Sequence, residues 1–350
     1  MRIVRLLSVA ILIFLLLTAA AVSETESVIV QGVEDFLMQN AEALGDDRIL
    51  ICGSTGSIND SKGAMYIIDT EGNSSNITPP ADNLEGMYRD AFMLDERMMI
   101  ALRSVPGAFE WRVALLDDGE IIWNTKSVEN AFFIERMGDC FLIYCKPEPA
   151  TAEIRCLDFD GNEKWKIRLE ERILLEGILV GEDMHIAYGS KMEDPVGDKD
   201  QRSTSLIFAF DNYGNILCRQ DGNRLGYSTQ YDDAVWTDDG GVIVIDNSRV
   251  SKYNKEGLLW ERDYTTNGMT GIESIENGYL ISYHDHSQNG MRFIRINEEG
   301  ELTGEFYLKD VPEGKNKLIL IGDTPYMVFY NLDGKEPMKL MKVDIENYIY

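Results

Sequence analysis

The residues equipped for chemistry are few. His185, His284 and His286 are the three histidines in 350 residues, too few for a confident Ser-His-Asp relay or a histidine-built metal centre. In His284-Asp285-His286 the two imidazoles alternate onto one face of a strand end, as a pair of metal ligands would. No third ligand accompanies them, so a solvated loop is expected there, and neither a metal nor a catalytic set is assigned. Asp158-Phe159-Asp160-Gly161-Asn162 opens like a calcium loop but lacks the later carboxylates, which favours a turn. The cysteines, Cys52, Cys140, Cys145, Cys156 and Cys218, are odd in number and loosely spaced, unlike a disulfide framework. Cys145 and Cys156 flank a short polar segment and either bridge across a hairpin or stay buried thiols.

Charge narrows the partners. With 33 Lys+Arg against 60 Asp+Glu the formal net charge is −27, which repels nucleic acid and favours cationic ligands or basic protein surfaces. Carboxylates are so abundant that no pair stands out for glycoside cleavage. Hydrophobic residues make up 44% of the chain and aromatics 10%, enough for a large core and unlike a disordered acidic tail. Arg2 and Arg5 precede an uncharged stretch from Leu6 to Val22 that ends in Ala19-Ala20-Ala21-Val22-Ser23. These are the regions of a secretory signal, assigned to residues 1–23, with an uncleaved anchor as the alternative. Nothing later in the chain is long and apolar enough to span a bilayer, so the expected location is extracytoplasmic, secreted or at the cell envelope.

The elements that position any site come from a repeat. An apolar run, Asp or Asn, two residues and Gly recur at Ile68-Asp69 to Gly72, Leu157-Asp158 to Gly161, Phe210-Asp211 to Gly214, Tyr253-Asn254 to Gly257 and Ile296-Asn297 to Gly300. A copy at Leu116 to Gly119 is shorter by one, and Asp344 to Asn347 puts Asn, the next best residue for positive φ, in the place of Gly. An earlier turn precedes an apolar run in each unit, as Asp46-Asp47 does before Ile49-Leu50-Ile51-Cys52. Such units read as four strands of Ile, Val, Tyr and Phe joined by hairpins. Seven copies at about 40–50 residues predict an all-β, seven-bladed β-propeller of four-stranded antiparallel blades spanning 24–350, with six or eight blades as alternatives. Ser27-Val28-Ile29-Val30-Gln31 is a spare strand, expected to pair into the seventh blade and close the ring.

Three copies carry a further residue. Leu115 to Trp123, Leu157 to Trp165 and Tyr253 to Trp260 resemble the apolar–Asp–turn–Gly–Trp repeat of quinoprotein-like (PQQ-repeat) and related WD40-like propellers. The resemblance covers the mature chain, is specific for fold and weak for function, and implies that Trp packs between blades. It does not bring a cofactor, since the vicinal cysteines common in the quinoprotein enzymes are missing here and no cofactor is expected. Loops joining the second and third strands share a face with the links between blades, the usual binding face. There the fourth unit places Asp194, Asp198, Asp200 and Arg202, its link to the fifth adds Arg224, Tyr227 and Tyr231, and the sixth adds His284 and His286. The expected function is a non-catalytic binding or interaction module for a protein or envelope ligand. A secreted carbohydrate-active hydrolase or lyase and a degenerate quinoprotein are the alternatives.

Overall fold

At Asp69, Asp158, Asp211, Asn254 and Asn297 the recurring Asp or Asn closes its turn with its own side chain, while the copy at Asp344 to Asn347 falls outside the described residues beyond Asp344. In the computed structural model, Asp158 Oδ1 accepts the amides of Asp160 and Asn162 at 3.0 and 2.8 Å, and Asn162 Nδ2 returns a bond to Asp158 Oδ2. Asp69 and Asp211 build the same turn with Asn73 and Asn215, and Asn297 accepts two amides likewise. Gly72, Gly161, Gly214 and Gly300 complete these turns at φ +73° to +86°, a region glycine enters without strain. The carboxylate of Asp158 is therefore spent on the turn, and the calcium-like reading falls away.

The structure describes residues 27–56, 62–79, 87–104, 110–118, 120–125, 128–148, 150–192, 203–222, 231–264, 268–285, 290–309, 311, 315–330 and 337–344. Their strands form seven antiparallel blades. The innermost strands are Phe36–Leu44, Tyr88–Met93, Ala131–Met137, Ile173–Leu179, Asp233–Trp236, Met269–Ile275 and Lys315–Ile321. Six blades run in chain order from innermost to outermost strand, and the second has its outer strand in two pieces, Glu120–Asn124 and Val128–Glu129. The seventh is completed as the sequence suggests: Ser27–Ile29 pairs antiparallel with Lys339–Lys342, Val28 opposite Leu340.

Second strands such as Arg48–Thr55 and Val242–Asp246 are buried on both faces, because each blade is covered by a neighbour on either side; hence unbroken apolar runs instead of alternation. Burial is organised in layers. Leu50 and Cys52 pack toward the second blade with Tyr88 and Ala91; Ile49 and Ile51 pack toward the seventh with Val328 and Leu340. The period-2 alternation of a strand thus serves two interfaces at once.

Three indoles fasten the outer strands. Trp123, Trp165 and Trp260 each donate Nε1 to a carbonyl in the next blade's turn, at Phe159 (2.9 Å), Asn212 (2.8 Å) and Glu298 (3.2 Å). They lie over the turn glycines: a Cβ on Gly214 would stand 2.6 Å from the Trp165 ring, and one on Gly300 2.8 Å from Trp260. In the fourth blade Cys218, paired with Ala209 just as Trp165 is paired with Cys156, takes the indole's place. There Trp236 reaches back from the fifth blade, donating to Val180 O at 3.2 Å.

The hairpin bridge between Cys145 and Cys156 does not exist. Cys145 stands opposite Glu153 and packs toward the second blade, whereas Cys156 stands opposite Leu142 and packs toward the fourth. Three positions separate them along the ladder, which puts the sulfurs on opposite faces of the sheet.

Gly214→Ala, strained at φ +80° and pressed on the indole, is expected to lower stability by about 2 kcal/mol, and Trp165→Phe by about 1 kcal/mol through its lost hydrogen bond. Chemical denaturation of both variants measures this. Deletion of residues 24–32 strips the outer strand from the seventh blade and is expected to lower the thermal midpoint by several degrees in calorimetry; an unchanged midpoint contradicts the closure.

Candidate functional site

Bulges shape the inner edge of the ring. The register slips between Met38 and Asn40, Tyr88 and Asp90, Ala131 and Phe133, Leu175 and Gly177, and Met269 and Gly271, always near the start of an innermost strand. A bulge re-aims the skipped side chain, and the residues skipped are Gln39, Arg89, Phe132, Glu176 and Thr270. In the fifth blade Asp232, just before the strand, takes the comparable place.

Just inside this rim, polar side chains bridge the blades. Asp90, 3% exposed, accepts Asn40 Nδ2 at 2.5 Å from the first blade and the Ile134 amide at 2.9 Å from the third. Asp233 accepts the Ile272 amide of the sixth blade at 3.0 Å and the Tyr188 phenol of the fourth at 3.4 Å. Lys317 of the seventh blade donates to Asn40 Oδ1 and, at 2.8 Å, to Ala41 O of the first. The Glu273 carboxylate takes the Leu320 amide from the sixth blade to the seventh. Tyr144 joins the third to the fourth, donating to Ile173 O at 2.9 Å and accepting the Leu175 amide at 3.2 Å. Each blade junction is crossed at least once by this belt.

The belt concentrates acid around Lys317. Burial, with the charge of Asp90 added, pushes Glu42 up to about 7; burial and Asp233 push Glu273 up to about 8. Burial first, then Asp90 and Glu42, raises Glu135 well above the usual carboxylate range. Asp90 and Asp233 are also raised by burial, against the pull of their hydrogen bonds and Lys317. Carboxylates crowded in a poorly solvated space hold protons in this way.

The rim above it is mixed. The Arg89 guanidinium lies 4.7 Å from the Phe132 ring and 5.3 Å from Trp111, a cation–π arrangement. Exposed Glu176 is raised by partial burial and by Asp232, and held down by Arg89. On the same face, between the fourth and fifth blades, a cleft of about 320 Å³ is lined by Asp221, Tyr231, Arg249, Tyr253 and Glu261 among others.

Of the residues singled out by sequence, Asp194, Asp198, Asp200, Arg202, Arg224, Tyr227 and His286 lie outside the described residues. Tyr231 is buried, its hydroxyl 2.6 Å from that of Tyr253, so it shapes the cleft wall more than it reaches outward. His284 is half-buried, opposite Met291. His185 is structural: fully buried, it accepts the Gly181 amide on Nδ1 at 3.3 Å, and Nε2 lies 2.8 Å from Asn212 Oδ1. Among the described residues no cluster of His, Cys, Asp and Glu has the geometry to hold a metal. Sequence reasoning passed over the belt and rim. The available signal was an ionisable residue inside an innermost strand, repeated at Asp90, Glu135, Glu273 and Lys317.

No protein-family model and no curated protein sequence matches the chain. Solved structures do. Sqt1 of Chaetomium thermophilum, bound to the N-terminus of ribosomal protein L10, aligns with TM-score 0.54 at 10% identity over 92% of this chain and 100% of that one. Sqt1 of Saccharomyces cerevisiae aligns at 0.50 and 10% identity, and BBS1N in complex with ARL6DN at 0.51 and 11%, each over 93% of this chain and 98% of the other. At such identities the likeness shows the fold alone, a WD40-like seven-bladed β-propeller.

The raised carboxylates fix a pH dependence. Between the ordinary value of 4.5 and about 8, folded Glu273 keeps a proton that the unfolded chain has released; its favourable contribution is complete at low pH and is lost as pH rises through 8. Glu273→Gln, which stays neutral, is expected to reduce the loss of stability between pH 5 and 9 by about 1–2 kcal/mol. Denaturant titrations at several pH values check this; identical profiles for the two proteins contradict it.

Proposed function

We propose that the chain is an exported, non-catalytic binding module whose rim, where the innermost strands begin, takes a cationic segment of a protein partner. The observation that carries this reading is the rim itself: bulges turn Glu176 outward beside Asp232, next to the Arg89, Trp111 and Phe132 cluster. Exposed acid selects positive charge, and a flat aromatic surface adds contact area at low entropic cost. The net charge of −27 favours the same class of partner and speeds its encounter. Bound Sqt1 and BBS1N are examples of such propellers in complex with other proteins, the former with the N-terminus of ribosomal protein L10. The export reading is supported by Arg2 and Arg5 ahead of the apolar stretch that ends at Ser23. Kinship with quinoprotein-like propellers is supported by the indoles at Trp123, Trp165 and Trp260 packed on the next blade's turn; no cofactor is assigned.

A Lys/Arg-rich peptide and a Glu-rich control of equal length test the reading by calorimetry at low and high salt. The basic peptide alone is expected to bind, more weakly as salt rises, and the Glu176→Gln/Asp232→Asn double variant to bind it at least threefold more weakly. Equal binding by the variant, or none by either protein, contradicts the assignment; turnover on a polysaccharide panel would favour the hydrolase instead.

A further inference from the structure

Two sulfurs in the third blade meet. Cys140 opens the strand Cys140–Glu148, and Cys156 lies in Thr151–Asp158. Cys140 is opposite Asp158 and Leu142 opposite Cys156, so the cysteines take diagonal positions on one face of the sheet. Both pack into the layer shared with the fourth blade. Their Sγ atoms are 3.2 Å apart, sixteen positions separating them in the chain, and Cys140 Sγ also lies 3.1 Å from Met137 O. Cys156 stands directly opposite Trp165, the indole that fastens this blade to the next.

We propose that Cys140 and Cys156 form a disulfide that staples the second and third strands of the third blade. Closing the sulfurs from 3.2 Å to about 2.05 Å at diagonal positions takes rotation of both side chains and a small approach of the two strands, within a ladder that already holds their register. The other cysteines have no such neighbour among the described residues: Cys145 faces the second blade, Cys52 lies between the first and second, and Cys218 packs toward the fifth.

The bond forms by exchange with a disulfide donor, glutathione disulfide or a dithiol oxidase. One cysteine thiolate attacks the donor's S–S bond, giving a mixed disulfide and expelling one donor thiol. The second thiolate then displaces the remaining donor sulfur. One S–S bond is made and one broken, the two cysteines lose two electrons to the donor, and their two protons end on the donor's thiols. Burial pushes the Cys156 thiol up, which silences it once folded, so the exchange belongs to folding, before the fourth blade covers the pair. That a donor meets the chain in the cell rests on the export reading.

The full chain is reduced and unfolded, refolded in mixed reduced and oxidised glutathione, alkylated under denaturing conditions, digested and read by mass spectrometry. The expected product is one cross-linked peptide pair through Cys140 and Cys156, lighter by two hydrogens than the free thiols, with Cys52, Cys145 and Cys218 alkylated. Cys145→Ser retains the cross-link and Cys156→Ser abolishes it. Alkylation of all five cysteines after oxidising refolding, or a bridge through Cys145, overturns the proposal. Because glutathione supplies the oxidant, this outcome is independent of compartment, and fractionation of cells expressing the chain tests export separately.

Discussion

A propeller's innermost strands have one edge with no partner strand, and the polar groups along that edge must be answered by something other than a ladder. In this chain side chains from adjoining blades do much of it. Asp90 meets the Ile134 amide, Asp233 the Ile272 amide, Glu273 the Leu320 amide and Tyr144 both Ile173 and Leu175. Each bond crosses from one blade to the next, so satisfying the edge also fixes the spacing of the ring. The cost is that acids are drawn into a poorly solvated interior. Lys317 offsets some of it, and protons retained on Glu42 and Glu273 offset more.

At the outer end of the blades the corresponding device is the indole laid on the next turn. It depends on a glycine at positive φ, which leaves room for the ring and turns a carbonyl toward Nε1. Inner belt and outer clamp together hold layers that no single blade could bury alone. Between the fourth and fifth blades, where Cys218 stands in the indole's place, Trp236 approaches from the opposite side. The pairing of Ser27–Ile29 with Lys339–Lys342 then joins the first described strand to the last.

What could be read from the sequence follows from how local each interaction is. The turns were legible because Asp158 bonds to amides two and four residues on, leaving a fixed spacing in the chain. Strand counting gave the seven units and the spare strand at Ser27-Val28-Ile29, since closure needs a fourth strand for the last blade. The belt was not legible: Asn40 and Asp90 are 50 positions apart, Lys317 and Asn40 277, and an acid in a strand looks like any solvated acid. Of the two readings open for Cys145 and Cys156, a bridge between them or buried thiols, the structure shows burial; that strand parity and register bring Cys140 to Cys156 was not legible in the chain. For the candidate surface, composition pointed to acid but not to the bulges that aim Glu176 and Arg89 at the rim.

Under the proposed function, the partner binds where the innermost strands begin. Hydrogen–deuterium exchange of the full chain, with and without a saturating Lys/Arg-rich peptide, addresses it directly. Slowed exchange is expected in Tyr88–Met93, Ile173–Leu179 and Asp233–Trp236, with the turns around Gly161, Gly214 and Gly300 on the opposite face unchanged. Protection confined to those turns, or to the outer strands, would contradict it.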